Sequence, residues 1–473
     1  MKNKIIDINK KSYISILIML ELLVILAITI TYIIPKGMFS TFIDEFGNVI
    51  TDYNNYIELT DKSGINIFKG LFAFILVLFS SDGLSLLMLS IFLLVISGSF
   101  QIMSDTSGMY IIVKRLISKF KERKILLICL LSLIFMAFGS FFGLFEEVLT
   151  LLPLIVMITI SLGYDSFLGF LVCIVATAFG FASAITNPFT VITASNIIGA
   201  SPMSNLWYRF VVFLLMYLLL LSFIFIHIKK ITKNPEKSPT FKNDKKKKIN
   251  FNDNETINDE NKIFKTYLIF FIIVLSGIIT VTSIEVLRSY TVVFLIIIFL
   301  IGGLLTGFII TNNLKQTLKS FISGVIAALP TILLVLLASS IKYILEEGMI
   351  LPTISHSISN LTEGKNIFSV ALIIYAIILI LELFISSSTA KSIFVMGILS
   401  FVSIDLSKEL LVLIYLFGDG FTNVLLPTSP VLLIGLSMIG MNYFSWIKNS
   451  KWLFIINVLL VILLIFIAIL IKY

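Results

Sequence analysis

Long apolar runs separated by short polar stretches fill most of the chain. The runs lie at about 12–34, 66–80, 83–103, 125–142, 144–160, 166–186, 205–228, 265–283, 291–311, 325–345, 366–385, 393–404, 409–426, 430–441 and 453–471. A helix of about 20 apolar residues can cross a hydrocarbon core of roughly 30 Å. The pattern therefore predicts an all-α polytopic membrane protein, with residues 1–35 as an N-terminal transmembrane helix that starts in the cytoplasm.

The runs fall into two groups that share a register. Three residue pairs are separated by the same 240 positions: Asp165 and Asp405, Gly180 and Gly420, and Phe181 and Phe421. The loop after the run 83–103 is basic, whereas the loop after 325–345 is acidic, so the two matched loops should lie on opposite sides of the membrane. We therefore predict inverted repeats at 66–228 and 314–473, with a transmembrane helix pair at 265–311 between them.

Composition and charge agree with this membrane class. Only 13% of the 473 residues are charged and 58% are hydrophobic, against about 25% charged residues in soluble domains. The formal charge of +8 comes largely from eleven lysines between Lys229 and Lys265, which predicts a cytoplasmic basic linker at 229–264 rather than a nucleic-acid surface. Residues 234–262 contain few apolar side chains, so we expect them to be solvated and dispensable for transport. The two cysteines and two histidines form no ligand pattern, so we expect no metal and no cofactor.

Costly polar residues interrupt the first repeat at membrane depth. Glu146 and Glu147 lie in a stretch that contains glycines and Pro153, and Asn187 precedes a proline in a later run. Such residues break helices, and non-helical backbone is tolerated in a membrane only where protein buries it or it lines a cavity. Each stretch is therefore predicted to be a helical hairpin or a broken helix.

The second repeat has matching interruptions. Ser386, Ser387, Ser388 and Lys391 lie in one stretch, and Asp419 lies between two glycines in the next. Half-helix ends offer free N–H and C=O groups to ligands, and a carboxylate adds charge there. The predicted substrate-binding residues are Glu146, Glu147, Asn187, Ser386, Ser387, Ser388, Lys391, Asp419, Thr422, Asn423, Thr428 and Ser429. Alternatively, the serines serve packing, and Glu146–Glu147 form a structural ion bridge with Lys391.

Six motifs occur along the chain in this order: "GLFEEVLTLLPL", "LGYD", "NPFT", "SSSTAKS", "FGDGFTN" and "PTS". Together they resemble the YfcC-type carriers, relatives of the DcuC anaerobic C4-dicarboxylate carriers. The resemblance implies a secondary transporter in the bacterial plasma membrane, with a scaffold domain, a transport domain that carries two opposed hairpins, and a homodimer. The family that the chain resembles includes proposed dicarboxylate carriers and also arginine/ornithine exchangers. Relatives typically have Met-Pro-Ile where this chain has Met396–Ile398, and Lys391 takes a position of small or amide residues.

Two other functions fit parts of the pattern. Asp165 and Asp419 are reminiscent of intramembrane aspartyl proteases, although Leu416 replaces the usual first glycine of the second motif. A channel would more often build its pore from rings of equivalent groups than from repeats with different polar residues. A carrier therefore remains the favoured interpretation, with the lipid bilayer and a small-molecule substrate as partners and no nucleic acid.

The charges of the predicted site indicate the kind of substrate. Glu146, Glu147 and Asp419 outnumber Lys391, so the site is net negative unless an acid is protonated. This favours an amino acid, in particular a basic one, whose amine binds the acids and whose carboxylate binds the serines. A C4-dicarboxylate with coupled Na⁺ or H⁺ stays open, because two bound cations would reverse the charge.

Overall fold

A computed structural model shows how the chain folds. It describes residues 10–43, 49–59, 63–80, 83–120, 122–245, 259–288, 290–362, 364–383, 391–392, 395–396, 399 and 406–473. The helices up to the linker are α1 (Lys10–Ile33), α2 (Ile67–Leu71), α3 (Ala73–Leu76), α4 (Gly83–Asp105), α5 (Gly108–Phe120), α6 (Lys124–Ala137), α7 (Leu152–Ser161), α8 (Ser166–Phe170), α9 (Ala176–Ala182), α10 (Thr193–Ile198) and α11 (Leu206–Lys233).

The remaining helices follow the end of α11. They are α12 (Phe241–Asp244), α13 (Glu260–Ser283), α14 (Glu285–Arg288), α15 (Thr291–Thr311), α16 (Leu314–Glu347), α17 (Leu351–Thr362), α18 (Ile367–Leu381), α19 (Lys408–Thr422), α20 (Pro430–Ile439) and α21 (Tyr443–Leu470). Short π-helical turns lie at Phe138–Phe142, Leu171–Val175 and Pro188–Ile192, and 3₁₀ turns lie at Val77–Phe79, Glu147–Thr150 and Pro235–Lys237.

Six helical segments of the described chain are long and apolar enough to cross a membrane. They are Leu86–Asp105, Lys124–Phe142, Leu206–Lys233, Val292–Thr311, Leu314–Glu347 and Tyr443–Leu470. Shorter apolar helices of 10 to 17 residues complete the set. The chain is a multi-pass helical membrane protein, as its hydrophobic pattern predicts.

One strand pair departs from the all-α prediction. β1 (Gly37–Ile43) and β2 (Val49–Glu58) form an antiparallel hairpin in the polar segment after α1. The Tyr56 ring stacks on His356 of α17 with 4.4 Å between ring centroids, and its hydroxyl lies 2.9 Å from Thr353 Oγ1. Because a two-stranded hairpin is marginal by itself, packing on α17 stabilises it.

The helices α4 and α16, one from each predicted repeat, cross closely in antiparallel directions. Ser97 Oγ donates a hydrogen bond of 2.8 Å to the Gly324 carbonyl, and Ser320 Oγ donates one of 2.6 Å to Asp105. Small residues let membrane helices approach until side chains bond the facing backbone. Helix α1 packs along α16, and α15 packs along α4, so these four helices form one packed layer.

Two interrupted helices carry the matched glycines. The segment α8–α9 ends at Ala182 and resumes at Pro188, and α19 ends at Thr422 and resumes as α20 at Pro430. Asn187 and Ser429 cap the two second halves. The first halves end 240 residues apart, at Ala182 and Thr422, and the second halves begin 242 residues apart, at Pro188 and Pro430. The residue before each proline disfavours the helical conformation, so each break extends up to its proline.

The two interrupted helices run in opposite directions. Asn243, which follows α11, donates a hydrogen bond of 2.6 Å to the Gly440 carbonyl at the end of α20. The same stretch reaches Ser166 at the start of α8. At the opposite end, Lys408 at the start of α19 approaches Gly199 at the end of α10. This arrangement supports the predicted inverted repeat.

The structure corrects the prediction of a solvated basic linker at 229–264. Helix α11 continues to Lys233, α13 begins at Glu260, and residues 234–245 are docked on the helices. Asp244 accepts hydrogen bonds from the Ser166 N–H (2.9 Å), the Ser166 hydroxyl (2.6 Å) and the Thr240 hydroxyl (2.6 Å). We call residues 234–245 the strap. The linker residues 246–258 lie outside the described part of the chain.

Buried acids hold the strap against α8. Burial raises the pKa of the Asp244 carboxyl, and the hydrogen bonds from Ser166 and Thr240 offset only part of that effect. Burial is also the largest single influence on Asp165, but the hydrogen bond to His227 Nε2, the charge of His227 and hydrogen bonds from Ser238 and the Leu168 N–H together outweigh it and lower the pKa of that carboxyl. Asp165 also caps α8 through the Leu168 N–H, as its position at the boundary of an apolar run predicts.

Candidate functional site

The breaks in the two interrupted helices lie next to each other, because the backbone of α19 contacts the end of α9. A Cβ placed on Gly420 of α19 would lie 2.0 Å from the Ala182 nitrogen at the end of α9. On the other side of α19, a Cβ on Gly418 would lie 2.3 Å from the Ile378 side chain. Only glycine allows this approach. The two glycines therefore let Asp419 face the meeting point of both repeats.

A buried charge cluster lies beside this meeting point. Lys391 Nζ contacts Asp419 Oδ1 at 2.5 Å and also forms an ion pair with Glu382, which directly follows α18. The exposed fractions of Lys391, Glu382 and Asp419 are 1%, 4% and 0%. Charges this deeply buried require close partners, because desolvation costs several kcal/mol or more per ion. We call these three residues the charge cluster.

Two residues at the end of α19 complete the surroundings of the charge cluster. The Thr422 hydroxyl lies 3.0 Å from Glu382 Oε2 and 2.7 Å from the Gly418 carbonyl. Asn423 Nδ2 donates a hydrogen bond of 2.8 Å to the Asp419 carbonyl. Both side chains are buried. They reinforce the last turn of α19, where carbonyl groups lose their helical partners.

The first repeat contributes a further acid. Glu146 lies at the start of a 3₁₀ turn, within electrostatic range of both Asp419 and Lys391. Glu147 begins the same turn, but its side chain lies outside the described part of the structure. The prediction that Glu146 forms an ion bridge with Lys391 is therefore wrong, because Lys391 forms ion pairs with Glu382 and Asp419.

Ser392, the residue after Lys391, also contacts the first repeat. Ser392 Oγ lies 2.9 Å from the Tyr415 hydroxyl and 3.4 Å from the Phe189 carbonyl in the π-helical turn after Asn187. Asn187 accepts hydrogen bonds from Phe189 N–H (2.9 Å) and donates one to the Gly139 carbonyl (3.1 Å). The two repeats are thus in direct contact beside the charge cluster, and a binding site shared between them stays a prediction.

Several predicted binding residues have structural tasks or lie outside the description. Asn187 and Ser429 are helix caps, with the Ser429 hydroxyl accepting from the Leu432 N–H at 3.4 Å. Thr428 is buried beside that cap. Ser386, Ser387 and Ser388 lie outside the described residues. For all of these, substrate binding stays a prediction.

Glu382 is the member of the charge cluster that the sequence analysis missed. It lies near the end of the apolar run 366–385, nine residues before Lys391, where a single acid is expected close to a membrane boundary. The available signal was its place in the same stretch as the serines and Lys391. Its partner Thr422 lies on α19, and only the parallel packing of α18 against α19 brings these residues together.

The geometry does not support an aspartyl protease. Asp165 caps α8 and bonds His227, whereas Asp419 bonds Lys391 next to the contact between Gly420 and Ala182. Seventeen residues of helix separate Asp165 from Ala182, which corresponds to about 25 Å at 1.5 Å per residue. Two aspartates that share a proton must lie within hydrogen-bond reach.

Antiparallel broken helices that meet at a buried charged site define a membrane carrier of the inverted-repeat type. The profile of the family described as C4-dicarboxylate anaerobic carrier (DcuC) matches residues 13–470. The chain belongs to this family. It is therefore a membrane transporter and not an enzyme.

Individual relatives agree with the transporter class. The chain is 27% identical over 368 residues to the "Putative basic amino acid antiporter YfcC" of Escherichia coli, a match that covers 76% of this chain and 72% of the relative. An uncharacterised Haemophilus influenzae protein is 25% identical over 371 residues, covering 76% and 70%.

Two solved transporter structures are similar at lower identity. The YdaH transporter of Alcanivorax borkumensis has a TM-score of 0.45 and 14% identity, and the alignment covers 96% of this chain and 98% of that one. MtrF of Neisseria gonorrhoeae has a TM-score of 0.42 and 15% identity, with coverage of 95% and 94%.

Proposed function

We propose that the chain exchanges cationic amino acids, with arginine and ornithine as first candidates, across the bacterial inner membrane. The charge cluster carries this proposal. Glu382 and Asp419 share one ammonium group, and Glu146 lies within electrostatic range of both Asp419 and Lys391. Three acids against one base favour a ligand that brings positive charge into the site.

The proposed binding mode divides the substrate between the two repeats. Its cationic groups approach Glu146, Glu382 and Asp419, and its carboxylate approaches the predicted hydroxyls of Ser386–Ser388. Carboxylates and ammonium groups form charge-assisted hydrogen bonds, which are stronger than neutral ones. The name of the Escherichia coli relative, a putative basic amino acid antiporter, supports the same substrate class.

A C4-dicarboxylate is the second candidate because the family description names it. In this case Lys391 would have to leave at least one carboxylate partner to bind the substrate, and further cations would have to neutralise the acids. The charge cluster therefore favours the cationic amino acid. For either substrate, we propose alternating access by a homodimer in which the two interrupted helices move against the layer of α1, α4, α15 and α16.

Counterflow in proteoliposomes tests this proposal. Vesicles loaded with unlabelled arginine should accumulate labelled arginine, and external ornithine should compete while succinate and fumarate should not. Vesicles that contain the Lys69→Gln variant are the matched control, because Lys69 pairs with Glu347 at an exposed site. Accumulation driven by succinate but not by arginine would contradict the proposed substrate class.

A further inference from the structure

Lys391 holds two buried carboxylates together at the centre of the site. Its ammonium nitrogen contacts Glu382 on one side and Asp419, at 2.5 Å, on the other. The two acids come from different helices, since Glu382 follows α18 and Asp419 lies within α19. Lys391 thus bridges the end of α18 and the interior of α19.

The positive charge of Lys391 compensates the negative charges of Glu382 and Asp419. Two adjacent buried carboxylates repel each other, and each loses its hydration. Such a pair is stabilised by a proton, by a metal cation or by a cationic side chain. Oxygen ligands of this kind suit hard cations such as Na⁺, but the ammonium of Lys391 already lies where the oxygens converge.

We infer that Lys391 is a built-in counter-ion that replaces a mobile coupling cation, so that the charge cluster functions without Na⁺. The inference rests on the proposed function only in that the same site carries the substrate. Lysine suits this role because its compact charge sits on a flexible four-carbon stem. A cationic substrate group competes with the ammonium of Lys391 for Glu382 and Asp419, and the ammonium returns when the substrate leaves.

The counter-ion role of Lys391 predicts how a variant without its positive charge should behave. In Lys391→Gln, Glu382 and Asp419 keep their charges but lose their shared cation, so the site must take up Na⁺ or protons from solution. A ligand that binds only the folded state raises stability according to its concentration relative to Kd. The thermal unfolding temperature of purified Lys391→Gln should therefore rise when NaCl replaces choline chloride at constant ionic strength and mildly alkaline pH.

The wild-type carrier and the Lys69→Gln control should show no such rise. If protons rather than Na⁺ neutralise the variant, its unfolding temperature should fall with increasing pH more steeply than that of the wild type. The inference is overturned if the wild type responds to Na⁺ as strongly as the variant. It is also overturned if the variant responds to neither Na⁺ nor pH beyond the wild-type response.

A further variant covers the case in which Lys391→Gln does not fold. The triple variant Glu382→Gln, Lys391→Gln, Asp419→Asn removes the entire charge cluster and should fold, because no acid then needs a counter-ion. Failure of the triple variant to fold would overturn the inference. These stability measurements contain no substrate, so they remain decisive even if arginine counterflow fails and the proposed substrate class is wrong.

Transport provides a second readout. Counterflow by the wild type should change by less than about twofold when choline replaces Na⁺, whereas Lys391→Gln should lose about tenfold or more in choline and recover in part with Na⁺, as expected for loss of a buried charged partner. Equal activity of Lys391→Gln in both salts would contradict the inference.

Discussion

At the scale of single residues, Asp419 shows how a carboxylate is kept inside a membrane protein. Its two glycine neighbours let α19 approach Ala182 and Ile378, and this close packing excludes solvent. The ammonium group of Lys391 then stabilises the Asp419 carboxylate in place of the water that burial removes. Removing the negative charge from Asp419 leaves the packing in place and changes only the electrostatics.

Asp419→Asn should weaken binding of a cationic substrate by about tenfold or more, the effect expected for one charge-assisted hydrogen bond. Arginine counterflow at several concentrations and pH values measures this. The matched control is Glu347→Gln, which removes an acid from a pair with Lys69 outside the site. If neither Asp419→Asn nor Glu147→Gln alters the affinity or its pH dependence, the acids are structural.

The sequence identified Asp419 and Lys391 as site residues because charge inside an apolar run is costly and therefore stands out. It could not identify their connection, since the ion pair depends on tertiary contacts between Lys391 and a different helix. Glu382 was missed for the same reason: near the end of a run an acid costs little, and only packing against α19 shows that it is buried. Asn187 and Ser429 were noticed, but their capping roles needed the observed helix starts.

At the scale of elements, the contact between α9 and α19 has no space for an added atom. Gly420→Ala should destabilise the carrier by about 1–3 kcal/mol or more, because the new methyl group meets backbone that cannot move aside. Thermal unfolding in detergent measures this. The comparison variant is Gly435→Ala, which should lose less stability because its methyl group meets the edge of the Phe170 ring, at 2.7 Å, and not backbone. Equal stability of both variants would contradict the close contact.

The strap gives a second prediction at this scale. Asp244→Ala removes the acceptor of three hydrogen bonds and should cost about 1–3 kcal/mol of docking free energy. Trypsin cleavage after Lys242, resolved by mass spectrometry, should then accelerate. The control Asp259→Ala changes an acid whose side chain makes no capping bond to α13. Unchanged cleavage after Lys242 would show that the strap does not depend on Asp244.

The pH dependence of docking follows from the raised pKa of Asp244. A carboxyl with a higher pKa in the docked state stabilises docking fully below its ordinary pKa, and this contribution is lost as pH rises through the raised pKa. Cleavage after Lys242, corrected for the activity of trypsin on an unstructured peptide, should therefore increase as the pH rises from acidic values. An opposite trend would indicate that Asp165, with its lowered pKa, controls docking instead.

The sequence predicted helices and breaks at this scale but misjudged the polar segments. Apolar runs and prolines located both interrupted helices, because burial and backbone chemistry act locally there. The sequence of the strap is polar and therefore predicts a solvated segment. Its docking depends on partners such as Ser166 and Gly440, which are distant in sequence. The β1–β2 hairpin was missed for a similar reason, since α17 supports it from elsewhere in the chain.

At the scale of the whole molecule, the inverted repeat places the strap and the C-terminus on opposite faces. Helix α21 begins three residues after Gly440, which the strap contacts, and its 28 residues span about 42 Å. Its far end reaches the start of α19, where Ser407 Oγ donates a hydrogen bond of 2.8 Å to the Tyr473 carbonyl. From the basic residues of the linker, we propose that the strap face lies in the cytoplasm.

Single cysteines test this orientation. In a chain with Cys129 and Cys173 replaced by alanine, an impermeant maleimide added to intact cells should label Lys472→Cys and should not label Glu236→Cys. Both positions are exposed. Inverted membrane vesicles should give the reverse pattern. Labelling of both positions from the same side would contradict the inverted repeat.

Equilibrium binding to the purified carrier tests the central claim most directly, because it isolates the charge cluster from movement across the membrane. Isothermal titration calorimetry should detect arginine binding to the wild type and no succinate binding under the same conditions. Glu382→Gln should weaken arginine binding by about tenfold or more through loss of a charged partner. Succinate binding that persists in the wild type, together with no binding of arginine, would show that the charge cluster does not select a cationic substrate.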